Sequence, residues 1–300
     1  MEILSKQGDS ELATVYVAKF RNDKNLLAEF VDARDPEISK DKKWVIIVST
    51  QFGCPVNCEM CDAGGNYYGN LSREDIFDQI NFVINNDQKN RLNKVDKLKI
   101  QFARMGEPSL NPVVLDVIED LPKYYNIKGL IPCVATTAPS NAKTWFAKLL
   151  SIRHSTYEGK QFQLQFSINS TDEKTRNKLM PIAKMSLEEI SEYSKKFYES
   201  DSRKVSLNFA LTKDIPVEPQ VIKNYFDPKY VCIKITPLNP TYISKDTGLI
   251  NALPPEKPDH ANTLCKKFQD FGFDVILSIG DTRENQIGSN CGMAVRKIQS

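Results

Sequence analysis

The sequence predicts an α/β protein, a partial (β/α)6 barrel preceded by a small β extension. Two patterns carry this prediction. Short apolar runs rich in β-branched residues recur through residues 44–236, and helical patterns of spaced apolar residues lie between them. Strands alternating with helices imply a parallel sheet with right-handed crossovers. A third observation sets the orientation: the polar motifs fall directly after strands, at the C-terminal ends where a (β/α) barrel carries its active site. The chain divides accordingly into a β-hairpin extension at 1–43, the barrel at 44–240, and a C-terminal segment at 241–300 with a helix, a strand and a cysteine-bearing loop.

In the extension, residues 13–20 alternate like a half-buried strand, 21–25 form a turn, and 26–31 return as the second strand of a hairpin with Glu29 inside it. A carboxylate on so small a strand is by default solvated. Residues 33–43, charged and containing Pro36, read as a loop. The barrel strands follow at 44–48, 97–103, 131–136, 162–168, 205–211 and 231–236. Between them a helix opens at Ser72, whose hydroxyl caps a first turn carrying Glu74 and Asp75. Further helices start at Asn111-Pro112, span 141–152, open at Ser186 with Glu189 completing a capping box, and cover 219–225. The C-terminal segment reads as a helix over 260–271, a strand over 273–278 and a loop over 280–293.

Composition narrows the class. Lys and Arg number 40 against 38 Asp and Glu, a net charge of +2, without the basic bias that RNA-binding proteins usually show. No run approaches the ~18 apolar residues of a membrane span, so no membrane association is expected. Residues 1–6 lack the basic and apolar regions of a signal peptide. Seven cysteines, an odd count with three clustered, argue against a disulfide framework and for a reducing compartment, the cytoplasm.

The clustered cysteines are Cys54, Cys58 and Cys61, spaced C-x3-C-x2-C directly after the run Trp44–Val48. Structural zinc usually takes four protein ligands, and no fourth follows at finger-like spacing. Three close thiolates suit a cubane [4Fe-4S] cluster with three irons held by cysteine and the fourth open. The ligand most often found on an open iron at this spacing is S-adenosylmethionine.

With these residues in view, the chain resembles the radical-SAM enzymes of the RlmN/Cfr class, the dual-cysteine RNA adenine methyltransferases, over roughly residues 26–296. The stretch Ser49-Thr50-Gln51-Phe52-Gly53-Cys54 is similar to that family's SSQxGC, and Met105-Gly106-Glu107-Pro108-Ser109-Leu110-Asn111 to its MGEPLLN. Ser167-Ile168-Asn169 stands where the family has Ser-Leu-His, and Pro237-Leu238-Asn239-Pro240 resembles its PWNP. Thr282-Arg283 through Ile287 to Cys291-Gly292 follows TRGxDIxxACG.

The resemblance implies roles for matched positions. Gly106 leaves room for a ligand near a strand end, and the Glu107 carboxylate can accept hydrogen bonds from the methionyl ammonium of S-adenosylmethionine. Ser167, Asn169 and Asn239 offer short polar groups to the ribose and the methionyl carboxylate. Thr136 lies where the family has a Ser-Thr-Ser run, although Ala135 replaces its first serine. In the family the cysteine matching Cys291 is methylated, a deoxyadenosyl radical takes hydrogen from that methyl, and the carbon adds to the substrate. Gly292 follows it in a polar loop, as a residue that must reach two places would require. Glu29 aligns with the family's glutamate general base. The cluster would take its electron from a donor such as flavodoxin or ferredoxin.

Departures from the family pattern set further expectations. The second catalytic cysteine, seven residues before the first cluster cysteine, is here Ile47. Cys133, Cys232 and Cys265 lie in apolar contexts and read as core residues, not replacements for it. The family's helical N-terminal RNA-binding domain has no counterpart ahead of Ala13. The sequence therefore leads to the expectation of a one-carbon transferase working through Cys291 on a small-molecule or compact substrate in preference to RNA. Hydrogen abstraction without methyl transfer, an RNA adenine C-methyltransferase with an altered resolving step, and a non-catalytic iron–sulfur protein are the alternatives.

Overall fold

A computed structural model describes residues 1–9, 12–34, 37–87, 89–253, 259–280, 287 and 290–299 of the 300. Thr282 and Arg283 of the C-terminal motif lie outside the described residues.

Ten strands form one sheet. β1 (Glu2–Asp9), β2 (Ala13–Lys19) and β3 (Leu27–Ala33) make an antiparallel meander, and β3 pairs antiparallel with β4 (Trp44–Val48). From there the sheet is parallel: β4, β7 (Leu98–Phe102), β8 (Leu130–Thr136), β9 (Gln163–Ser167), β10 (Val205–Leu211), β11 (Val231–Pro237) and β12 (Val275–Leu277) pair in sequence order. The sheet is open, with β1 and β12 at its two ends. A separate two-stranded ribbon, β5 (Gln51–Phe52) and β6 (Gly69–Asn70), frames the cysteine loop.

Helices cover one face. α1 (Arg73–Asn85), α2 (Val113–Tyr124), α3 (Lys143–Thr156), α5 (Leu187–Phe197), α6 (Pro219–Tyr225) and α8 (Asp259–Asp270) pack on the sheet in one continuous core. Burial alternates in β7 and β9, where helices pack on one face only. In β7, Leu98, Ile100 and Phe102 are buried while Lys99 and Gln101 are half-buried; in β9, Leu164 and Phe166 are buried and Gln163, Gln165 and Ser167 are not. The polar, inner face is thereby left for the site.

Two predicted helix starts are built as expected. Ser72 and Asp75 form a reciprocal capping box on α1, and Ser186 and Glu189 form one on α5. The short helices α4 (Glu173–Leu179), α7 (Tyr242–Asp246) and α9 (Met293–Gln299) were not expected from the sequence. At five to seven residues they span too few turns to show a period.

The extension departs from the expected hairpin in two ways. It has a third strand, β1, and it continues the main sheet through β3 and β4. Its middle strand, expected to be half-buried, is buried on both faces. Tyr16 and Ala18 join the main core, while Val15 and Val17 join a second apolar cluster with Val31, Met105, Ala294 and Val295. α9 lies over the inner face of the meander, and that cover also removes Glu29 from solvent. Among the described residues no helix is long and apolar enough to cross a membrane.

Candidate active site

The cysteine loop leaves β5 and is tied down along its length. Glu59 N–H donates to Leu179 at 3.0 Å, Thr241 Oγ1 to the Met60 carbonyl at 3.1 Å, and Thr247 Oγ1 to the Glu59 carbonyl at 2.9 Å. Asp62 is buried and accepts from the Tyr242 and Ile243 amides, each at 2.9 Å, and from Arg296 Nη1 at 3.1 Å. One carboxylate therefore caps α7 and reaches α9. Neither Asp62 nor Arg296 stood out in the sequence, because the loop and its two partners are distant along the chain.

Cys54, Cys58 and Cys61 are free, half-buried thiols. Burial, with Cys61 adding to it, pushes Cys54 up to about 12, and burial raises Cys58 well above the ordinary thiol range. Such thiols are kept neutral unless a cation is bound, and a coordinated metal reverses that preference outright. Among the described residues no three His, Cys, Asp or Glu side chains converge on a single ion position. A cubane, whose three thiolates go to three different irons, needs no such convergence.

Cys291 sits beside the cysteine loop. Its thiol donates to the Arg104 carbonyl, and Cys61 Sγ lies 4.0 Å from the Cys291 carbonyl. Contact between the two thiols holds Cys61 low and Cys291 high. Gly292 makes the approach possible. At φ +83°, a Cβ there would lie 2.2 Å from Ala63 N and 2.3 Å from the Asp62 carbonyl carbon. The sequence suggested a glycine for movement; the structure gives it a packing reason.

Glu29, expected to be solvated, is 0% exposed. One oxygen accepts from Gly292 N–H at 2.5 Å and pairs with Arg104 Nε at 2.7 Å. The other accepts from the amides of Ala294 at 3.0 Å and Val295 at 3.1 Å. The carboxylate thus fastens the start of α9, and with it Cys291, to β3. Ile47 packs into the same apolar cluster as Cys61 and Cys291.

Glu107 ends β7's loop and is the hub of a second network. It accepts from Ser109 Oγ at 2.7 Å, Thr136 Oγ1 at 2.5 Å, Thr137 N at 2.8 Å and Thr137 Oγ1 at 2.9 Å. The hydroxyls can rotate, so an ammonium donor could replace one of them. Gly106, at φ +100°, leaves less room than expected: a Cβ would lie 2.6 Å from Gln51 Cβ and 2.7 Å from Thr50 Oγ1, so protein fills that space.

A cavity of about 460 Å³ opens at the C-terminal ends of β9, β10 and β11. Ser167, Asn169, Asn239, Cys61 and Cys291 all line it. Gly106, Glu107, Thr136 and Glu29 lie outside its wall, in the two networks just described. Lys234 and Asn208 line it too, and sequence reading passed over both. Cys133 and Cys232, expected in the core, are buried on the inner face, beside Gln163 and Ser206. Burial raises Cys133 to about 11 and raises Cys232 as well.

No protein-family model matches the chain. It is 23% identical over 310 residues to the dual-specificity RNA methyltransferase RlmN of Aliarcobacter butzleri, covering 99% of this chain and 81% of that protein. It is 25% identical over 274 residues to a probable RlmN of Kocuria rhizophila, with 84% and 66% covered. A probable RlmN of Nostoc punctiforme is 29% identical over 177 residues, with 57% and 44% covered. A crystal structure of a radical SAM methyltransferase from Sphaerobacter thermophilus shares the fold at TM-score 0.74 and 16% identity, covering 97% of this chain and 80% of that one. Streptococcus suis SuiB bound to S-adenosylmethionine gives 0.54 at 13% identity, covering 78% and 50%. The resemblance read from the sequence, and the expectation of an enzyme, both hold. The preference for a small-molecule substrate does not. The sequence relatives are RNA methyltransferases by name, and near-neutral net charge was a poor guide, since a total hides where charge is placed.

Proposed function

We propose, from the premise that this chain is a relative of the RlmN radical-SAM methyltransferases, that it methylates RNA and that Cys291 carries the transferred carbon. Cys54, Cys58 and Cys61 would hold a [4Fe-4S] cluster. Glu107 and Thr136, with Ser167, Asn169 and Asn239 at the cavity, would hold S-adenosylmethionine. When bound, these two groups supply reductive radical chemistry and the one-carbon unit.

The observation that carries this reading is the placement of Cys291. Its thiol lies on the wall of the same cavity as Cys61, held there by the Glu29 and Arg104 contacts and by the close approach at Gly292. Half-buried and donating to the Arg104 carbonyl, it is a protonated thiol until its proton is removed. Glu29 fixes the backbone that carries the sulfur. The cavity wall of short amides and hydroxyls would orient polar ligands beside the thiol.

Mass spectrometry of protein purified from cells supplied with labelled methionine tests the carrier. A labelled methyl on the Cys291 peptide is the expected result; a methyl-free peptide in active protein overturns it. The metal set is tested separately. Cys58→Ala should lose the iron that the reconstituted wild type retains, and full retention would remove this cysteine from the ligand set.

A second reading, hydrogen abstraction without methyl transfer, draws on Ile47. That side chain packs where a second thiol would be needed to resolve an adduct on Cys291. Deoxyadenosine production with no labelled carbon in RNA would favour it.

A further inference from the structure

The inner face of the sheet carries two lysines that the chemistry above does not use. Lys99 leaves β7 and Lys234 leaves β11, and both reach toward β9 from opposite sides. Lys99 Nζ donates to Gln163 Oε1 at 2.9 Å and Lys234 Nζ to Gln165 Oε1 at 3.2 Å. Gln163 and Gln165 are two apart on β9 and so point to the same face. Two amines are thus held by neutral amides over one strand, beneath the cavity that Lys234 and Cys291 both line.

Their electrostatic surroundings are unusual for paired cations. The charged or titratable groups bearing most on Lys99 are Cys133, Arg203, Lys43 and Lys234; on Lys234 they are Cys133, Cys232 and Lys43. No carboxylate is among them. Burial lowers both amines from the ordinary lysine range; the neighbouring cysteines oppose this and the neighbouring cations add to it. Both are half-buried, and ammonium groups withdrawn from water are ordinarily paired. Asp274, which bears on Cys232, is paired at 2.6 Å with Lys204. Next to Lys234, in register on β10, Asn208 presents a buried Oδ1 with no hydrogen-bond partner among the described residues. Among the described residues the site therefore offers two cations held only by amides, with no carboxylate paired to either, and an acceptor without a donor.

We propose that Lys99 and Lys234 form a phosphate-binding subsite on the inner face of the sheet, and that Asn208 accepts from a hydroxyl of the same ligand. Phosphodiester and ribose hydroxyl together are the chemistry of an RNA backbone. The subsite rests on the RNA reading above for the source of its phosphate. It would draw the substrate strand across β9 and present the nucleotide to the end of the cavity that holds Cys291.

Binding of an unmodified transfer RNA transcript, followed by fluorescence anisotropy between about 50 and 200 mM salt, tests this. Wild type should show salt-dependent binding. Lys99→Met with Lys234→Met should flatten the log–log salt slope by about 1 for each lysine removed, and Lys234→Arg should retain the wild-type slope. The melting temperature of the methionine variant should equal or exceed that of wild type, because two partly desolvated charges without a carboxylate partner are gone; a fall of several degrees would make the lysines structural and overturn the proposal. Should the double variant not fold, Lys234→Gln alone is read by the same slope. An unchanged slope in a folded variant overturns the subsite and leaves the RNA reading standing. Absence of salt-dependent RNA binding in wild type overturns the RNA reading instead. Titration with inorganic pyrophosphate then decides the subsite: binding lost in the methionine variant supports it with a free phosphate ligand, and no binding to wild type overturns it.

Discussion

Glu29 binds one end of the chain to its middle through a single carboxylate. Three amides of the Gly292 to Val295 segment and the Arg104 guanidinium converge on it, and Arg104 in turn offers its carbonyl to the Cys291 thiol. Removing one member of a buried ion pair leaves the other uncompensated, which costs about 3–5 kcal/mol. Glu29→Ala should therefore lose stability on that scale in denaturant titration. A variant of wild-type stability would show that the carboxylate does not hold α9. At Cys291 the expected contrast is between thiols. Cys291→Ala should abolish product, whereas replacing Cys133, Cys232 and Cys265 together should leave turnover largely intact, since burial raises all three above the ordinary thiol range. Product from Cys291→Ala would mean that scaffold, and not mechanism, was retained. Ile47→Cys offers a gain of function: after turnover, a disulfide-linked peptide joining positions 47 and 291. At this scale the three loop cysteines were legible because their spacing is local. Arg104, Asp62, Asn208 and Lys234 were not, because each acquires its meaning from a partner more than twenty residues away or from the face of the sheet it happens to occupy.

Local chemistry fixed some elements closely. β10 and α6 run over the residues expected from their apolar pattern and from Pro219, and both capping boxes form where serine precedes an acidic residue by three. Ser186→Ala should accordingly cost about 1 kcal/mol, with no change in the cavity. The short α9 is a different case: its start is determined by Glu29 and by Gly292, not by its own sequence. Gly292→Ala places a Cβ against the backbone of Asp62 and Ala63 at a positive φ, a strain of about 1–3 kcal/mol. Relief requires the Cys291 segment to move off the cysteine loop. The expected outcome is a large loss of methyl transfer with iron content retained, measured on reconstituted protein. Equal activity in Gly292→Ala would show that the close approach is dispensable.

Across the whole molecule, the alternation of short apolar runs with helices made the parallel sheet readable, since each βαβ unit is written in consecutive residues. The meander was less readable. β1 is an edge strand with the polar sequence EILSKQGD, so nothing in its composition marks pairing with β2, and the continuity of β3 with β4 is a long-range choice. That continuity has a consequence for residues 1–33. They supply Tyr16, Ala18, Phe20, Ala28 and Phe30 to the main core, Val15, Val17 and Val31 to the second cluster, and Glu29 to the α9 start. Cutting them away would uncover Trp44 and Ile46, both 0% exposed, and turn β4 into an unprotected edge. It would also release α9 and the Cys291 segment together. A chain beginning at residue 37 should therefore aggregate on expression, while one beginning at residue 10, which gives up only β1, should fold with a lowered melting temperature. Recovery of a monomeric, cooperatively melting protein from the longer truncation would show that the extension is separable from the parallel part of the sheet.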